Sequence, residues 1–214
     1  PRWWSRPRAG SRALSKRFFD FGQTEGRDRY KLLSGLIVPR PIGWIGTRRS
    51  DGTYNLAPFS FFNVVSSSPP TVIFSGGRHS DRPKDSVALS EETGEFTVNI
   101  VSEEVARAMS VTSGTFGPED DEFEIAGVTP IPGEVVDAPM VAESPANLEC
   151  RVTRILDIGE GNTRLVVGRV VAAHVDEEVL DGTRVDNTEL RAIGRMAGNT
   201  YVRTRERFDL QRPV

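Results

Sequence analysis

The sequence predicts a mainly β fold, an antiparallel barrel carrying a few short helices. β-Branched, apolar segments recur between turns rich in Gly, Pro and Asn. Two long strands, residues 147–158 and 163–175, flank the turn Gly159-Glu160-Gly161-Asn162, which reads as a hairpin. The regular strand-then-helix rhythm of a parallel sheet is missing.

Taken in order, Asp28 to Gly35 reads as a short helix, with Asp28 as cap and Gly35 as stop. Leu36-Ile37-Val38 turns to β texture, and Pro39 and Pro41 keep the chain extended around Arg40. Ile42 to Thr47 continues as a strand. Asp51-Gly52 then makes a hairpin turn into Tyr54 to Ala57. After Pro69-Pro70, Thr71 to Ser75 reads as a buried strand ended by Gly76-Gly77. Pro83 and Gly94 bracket a helix from Lys84 to Thr93, and Glu95 to Val101 alternates as a strand. Ser102 is expected to cap a second helix running to Val111, with Glu103 and Glu104 in its positive first turn. Residues 113–146 read as loops with short strands around Val128 and Val135. Val185 to Leu190 leads into a Gly-rich loop from Ile193 to Tyr201.

Composition narrows the function. A chain of 214 residues, 37% hydrophobic and 27% charged, can bury a core of its own and is neither disordered nor fibrous. No apolar run is long enough to span a bilayer, so no membrane partner is expected. One cysteine, Cys150, excludes an intramolecular disulfide and suits a reducing, cytoplasmic setting. With His79 and His174 it makes three soft ligands in the whole chain, too few for a structural zinc site, and no metal is expected. Residues 1–17 hold six basic groups and no acid, a net of +6. The whole chain is −3, so the remainder carries −9. Residues 1–20 therefore read as a basic N-terminal extension, flexible or translated from an upstream start, with a transit-like leader or anion-touching arm as alternatives. Residues 21–214 read as the folded domain. Its acidic balance argues against nucleic acid as a partner.

Three segments carry the candidate chemistry. Asn55-Leu56-Ala57-Pro58-Phe59-Ser60-Phe61-Phe62-Asn63 mixes small residues, hydrogen-bonding groups and aromatic faces; it suits either a planar ring or simple core packing. Arg82-Pro83-Lys84-Asp85-Ser86 opens a helix, where unpaired N–H groups favour an anion, Lys84 and Ser86 adding charge and a hydroxyl; plain capping by Asp85 or Ser86 is the competing reading. Arg40 and Thr47, with the late Gly194-Arg195-Met196-Ala197-Gly198-Asn199 loop, offer backbone N–H groups and cations, or an ordinary surface loop. G-x-G-x-x-G after a strand, G-x-x-x-x-G-K-[ST] and G-x-S-x-G are all absent.

The ordered series resembles the flavin-reductase-like family: Arg-Pro-Ile-Gly-Trp-Ile-Gly-Thr, Asp-Gly, Asn-Leu-Ala-Pro-Phe-Ser-Phe-Phe-Asn, Pro-Lys-Asp-Ser, Gly-Glu-Phe-Thr-Val-Asn and Gly-Arg-Met-Ala-Gly-Asn-x-Tyr, across residues 28–204. That resemblance implies an FMN-binding split β-barrel, Greek-key-like, dimerising as a homodimer with flavin near the interface. It implies that Thr47 and residues Asn55, Ala57, Pro58, Phe59, Ser60, Phe61 and Phe62 line the flavin. Lys84, Asp85 and Ser86 would lie near its phosphate, and the Gly194 to Tyr201 loop, Gly194 and Arg195 included, near the flavin or its reductant; Arg40 is a further candidate, a cation able to balance phosphate or a flavin carbonyl. His174 is a candidate substrate contact or a strand histidine held by a hydrogen bond. The activity it implies is flavin reduction by NAD(P)H, with an oxygenase or other electron acceptor downstream and no side-chain acid or base required. An FMN-binding electron carrier or redox sensor, without substantial NAD(P)H turnover, and a flavin-free interaction module are the alternatives.

Overall fold

The computed structural model describes residues 16–79, 82–117, 119–159 and 163–213, except for the side chains of residues 78, 79, 82 and 83. The first fifteen residues of the basic extension, the centre of the expected 159–162 turn and the His79 side chain lie outside the described residues. Helix α1 (Gly26–Leu36) leads into β1 (Gly43–Arg48) and β2 (Tyr54–Phe59), paired antiparallel across the Asp51-Gly52 turn. β3 (Phe62–Ser67) and β4 (Pro70–His79) form the next hairpin, and the short β5 (Arg82–Pro83) folds back on β4. Helix α2 (Asp85–Thr93) ends at Gly94 in the left-handed conformation, as glycine there permits. β6 (Glu95–Ile100), α3 (Ala106–Val111) and α4 (Glu122–Ala126) follow. β7 (Pro130–Ile131) pairs with β8 (Met140–Val141), then β9 (Ala146–Ile158) with β10 (Thr163–Val175) over almost their whole length. β11 (Leu180–Asp181) pairs with β12 (Arg184–Val185); α5 (Asn187–Leu190) precedes the closing hairpin of β13 (Ile193–Arg195) and β14 (Tyr201–Arg203).

The main sheet runs β2-β1-β6-β9-β10-β4-β3, with β5 beside β4, all neighbours antiparallel. Its two end strands, β2 and β3, are consecutive in the chain and joined by Ser60 and Phe61 alone. Two linking residues reach only about 10 Å, so the sheet must curl until its ends meet. They meet without a hydrogen-bonded ladder. The result is a barrel left split along one seam.

Burial on both faces of β1 follows from this curl. Trp44 points to a cluster with Leu56, Met109, Phe123 and Val141, beneath α3 and α4. Ile45 points into the barrel with Phe74, Phe96, Val98 and Val87. Trp44 is wholly buried and its indole N–H donates to Thr112 Oγ1 at 2.8 Å, which satisfies its one polar atom. Gly168 lets β10 pass against the Phe96 ring, where any Cβ would collide. Among the described residues, no helix is long and apolar enough to cross a membrane.

Several expectations are corrected. Helix α1 continues through Gly35 to Leu36, with Glu25 rather than Asp28 at its N-cap, so residues 36–38 close the helix instead of starting a strand. β4 runs past Gly76-Gly77, because both glycines pair with Arg164 and Thr163 of β10. β3 has no counterpart in the sequence reading; its ladder is supplied by β4. Ser102 does not cap a helix. Its segment is drawn into backbone pairing with residues 191–193, Ile193 N–H donating to Val101 O and Glu103 N–H to Arg191 O, and α3 starts only at Ala106. The short strand expected around Val128 is β7, two residues later, whereas Val135 lies outside strands. Residues 122–126 are helix α4, capped by the Asp121 carboxylate, and the Val135 segment wraps a buried carboxylate instead.

Candidate functional site

Strand β2 is also the floor of a cleft of about 390 Å³. Asn55, Ala57 and Pro58 lie along it, with Ser60 just past its end. At a strand rise near 3.3 Å, Asn55 to Ser60 spans about 16 Å. The start of α2 closes one end with Lys84, Asp85 and Ser86. Met109 and the 112–116 segment form the opposite wall, with Glu122 of α4, while Tyr30, Arg195 and Tyr201 border the cleft from α1 and the last hairpin.

The α2 end brings a cation and a hydroxyl to the cleft. Lys84 occupies the N-cap, and its side chain makes no capping hydrogen bond to the first turn. Its ammonium stands 5.4 Å from the Phe59 ring centroid, an aromatic platform that holds the cation at the cleft edge. Asn55 Nδ2 donates to Ser86 Oγ at 2.8 Å and to Thr47 Oγ1 at 3.1 Å, which locks strand and helix together. Thr47 itself is fully buried behind Asn55.

The other predicted residues divide between lining and support. Arg40 is buried, donating to the carbonyls of Ser34, Ile37 (3.0 Å) and Met196 (3.1 Å) and to Ser60 Oγ (3.4 Å). It ties α1, the end of β2 and the last hairpin together rather than facing the cleft. Arg195 does reach the cleft, where its guanidinium donates to Tyr201 Oη and Gly198 O and lies 4.6 Å from the Tyr201 ring centroid. Gly194 is buried against Pro39. Phe59 is a core residue packed on Phe74, and Phe62 packs against the same cluster and against Gly43. Phe61 is exposed, 6.5 Å from the ring of Tyr30. His174 is apart from this cleft: its Nε2 lies 2.7 Å from Glu149 Oε1.

Sequence reasoning singled out the Gly194 to Tyr201 loop, which Tyr201 ends, but missed Tyr30, the 112–116 wall and Glu122. The last is the most consequential. Glu122 is 5% exposed, accepts one hydrogen bond from Leu56 N–H at 3.3 Å, and has Arg49 Nη2 at 3.9 Å. That Arg49 nitrogen is buried and has no hydrogen-bond partner. Burial therefore dominates and pushes the Glu122 carboxyl up to about 7, with Asp85 adding to the rise and Arg49 and the N–H groups only partly opposing it. In the sequence Glu122 sits within the acidic run 119–124, which reads as solvated surface; the one available signal was Asp121 three residues before Glu124, a helix start. Cys150 is buried and its thiol is pushed up to about 12, so it offers no thiolate.

Comparison with known proteins agrees with this architecture. A protein of Halalkalibacterium halodurans is 40% identical over 193 residues, 88% of this chain and 92% of that one. Nitrilotriacetate monooxygenase component B from Bacillus cereus superposes with a TM-score of 0.89 at 34% identity, covering 92% of this chain and 99% of that chain. The 2-nitrobenzoate 2-nitroreductase NbaA of Pseudomonas fluorescens gives 0.85 at 29% identity, covering 92% and 96%. Residues 34–193 match the family described as Flavin reductase like domain, in keeping with the split barrel: this chain belongs to the flavin-reductase-like family.

Proposed function

We propose that the cleft binds FMN and that the protein is an NAD(P)H-dependent flavin reductase. The observation that carries the reading is the pairing, in one cleft, of a lysine-bearing helix start with a strand of small residues. A phosphate suits the first and a flat ring the second. Lys84, Ser86 and the α2 backbone would hold the phosphate. Ala57 and Pro58 let a ring lie close to β2, while Arg195, already oriented by Tyr201, faces the cleft as a cation able to balance charge gained on reduction. Bound FMN would supply the two-electron chemistry, accepting hydride from the nicotinamide and passing electrons onward. The similar Bacillus cereus protein is a monooxygenase component, which supports an oxygenase or another acceptor as the downstream partner. A homodimer accompanies the reading: Phe61, Val64 and Val65 are exposed together beside the seam, an apolar edge that a second copy would cover.

The purified protein's visible spectrum and an FMN titration test flavin binding, and anaerobic bleaching of the flavin band by NADH or NADPH tests turnover. Flavin that stays oxidised with both nucleotides would leave an electron carrier or sensor. Lys84→Ala is expected to weaken FMN by about 10- to 150-fold, the loss of one charged hydrogen bond, and to leave riboflavin nearly unchanged. Equal losses for both would remove the phosphate assignment. Sedimentation velocity of the full chain checks the dimer.

A further inference from the structure

Glu122 adds a second function to the anion end. Its carboxylate borders the same cleft as Lys84, Asp85 and Ser86 and is tied to Leu56, one residue along β2 from Asn55, whose amide bonds Ser86. A carboxylate so placed stands beside the position assigned to phosphate. Its surroundings do little to hold its charge. From β2 it receives a single N–H; from the turn after β1 it faces Arg49 beyond hydrogen-bond distance; from α2 it meets the field of Asp85, with Lys84 lining the same cleft. On its own helix Asp121 is spent on the Phe123 and Glu124 N–H groups and Glu124 is exposed, while the one ionisable group of α3, Arg107, is exposed too.

We propose that Glu122 is a specificity-determining residue that couples binding of a phosphorylated flavin to uptake of one proton. The proposal rests on the phosphate reading of the α2 end. In the empty cleft near neutral pH the carboxylate is partly ionised. When a phosphate dianion enters, a proton from solvent moves onto a Glu122 oxygen, and the bound state carries Glu122 as the neutral acid. The same residue makes the cleft reject doubly charged ligands as pH rises while leaving uncharged ones alone.

The test is a titration of the full-length protein with FMN and with riboflavin between pH 7 and 8.5, where the phosphate is already largely a dianion. FMN affinity is expected to fall about 15-fold across that range, its slope approaching one linked proton above pH 7.5, while riboflavin affinity changes less than about twofold. Glu122→Gln is expected to flatten the FMN profile and restore the pH 7 affinity at pH 8.5. Calorimetry of FMN binding to the unaltered protein, in two buffers of different ionisation enthalpy, reads the proton directly and needs no variant. Uptake of close to one proton at pH 7.5 to 8 supports the proposal. A flat FMN profile without proton uptake overturns it, as does a Glu122→Gln variant that keeps the slope or weakens both flavins equally. Failure of either flavin to bind at any pH instead overturns the cleft's assignment, and this role with it.

Discussion

Glu122 and Glu149 are both buried carboxylates, 5% and 0% exposed, and the protein drives them in opposite directions. Glu149, on β9, accepts backbone N–H groups from Glu134 at 3.1 Å and from Val135 and Val136 at 2.7 Å, and its Oε1 meets His174 at 2.7 Å. Burial alone would raise it, but the histidine and the three N–H donors outweigh burial and hold it below the usual carboxylate range. Glu122, with its own N–H, one long N–H contact from Leu56 and a guanidinium just out of reach, keeps most of the cost of burial and rises to about 7. Depth does not decide charge; the supply of donors does. The saturated carboxylate fastens a loop, and the starved one borders the cleft.

Removing the saturated carboxylate gives the largest expected effect. Glu149→Ala takes the acceptor from the buried Val136 N–H and from the partly buried Glu134 and Val135 N–H groups, and should cost about 3–5 kcal/mol at pH 7, read from the shift of the urea midpoint. Because Glu149 is held low in the folded state, its contribution is full above the ordinary carboxylate value, near 4.5, and is lost as pH falls through its lower folded value. The gap between variant and parent should therefore narrow in acid. The starved carboxylate has the opposite sign. Glu122 binds its proton more tightly when folded, so the stability it lends is complete below about 4.5 and disappears as pH rises to about 7. Glu122→Gln is expected to abolish that decline, giving a variant more stable than the parent at pH 8 and little changed at pH 4. Arg49→Met removes the cation opposing Glu122 and should move the midpoint of that decline upward, read from the pH dependence of the urea midpoint. The smallest effect belongs to His174→Gln, which retains a donor for Glu149 and should cost less than about 1 kcal/mol.

The same contrast explains how much was legible in the sequence. The strands β9 and β10 were readable because their β-branched residues run long between clear turns, and α2 because Pro83 and Gly94 mark its ends. Lys84, Ser86, Asn55, Ala57, Pro58 and Ser60 do converge on one cleft as the local motifs suggested. Wherever a distant partner sets the outcome, local reading fails. Ser102 has the look of a helix cap, but residues 191–193 take its segment into pairing, and β3 exists because β4 lies beside it. Glu122 and Glu149 are each one acid among many in the sequence; only the folded chain separates an acid wrapped by a loop from one left short of donors. Arg40 carried a residue type that suits anions, and its three carbonyl partners come from positions 34, 37 and 196, which no local pattern connects.

The two-residue join between β2 and β3 has a mechanical consequence. Elsewhere the cylinder wall is held shut by ladders that can re-form after a fluctuation, whereas at this line the covalent chain itself is the clasp. Lengthening that clasp with a few glycines would leave every ladder intact while letting the wall unroll from the edge that floors the cleft. Binding at the proposed flavin cleft would then be lost ahead of folded content.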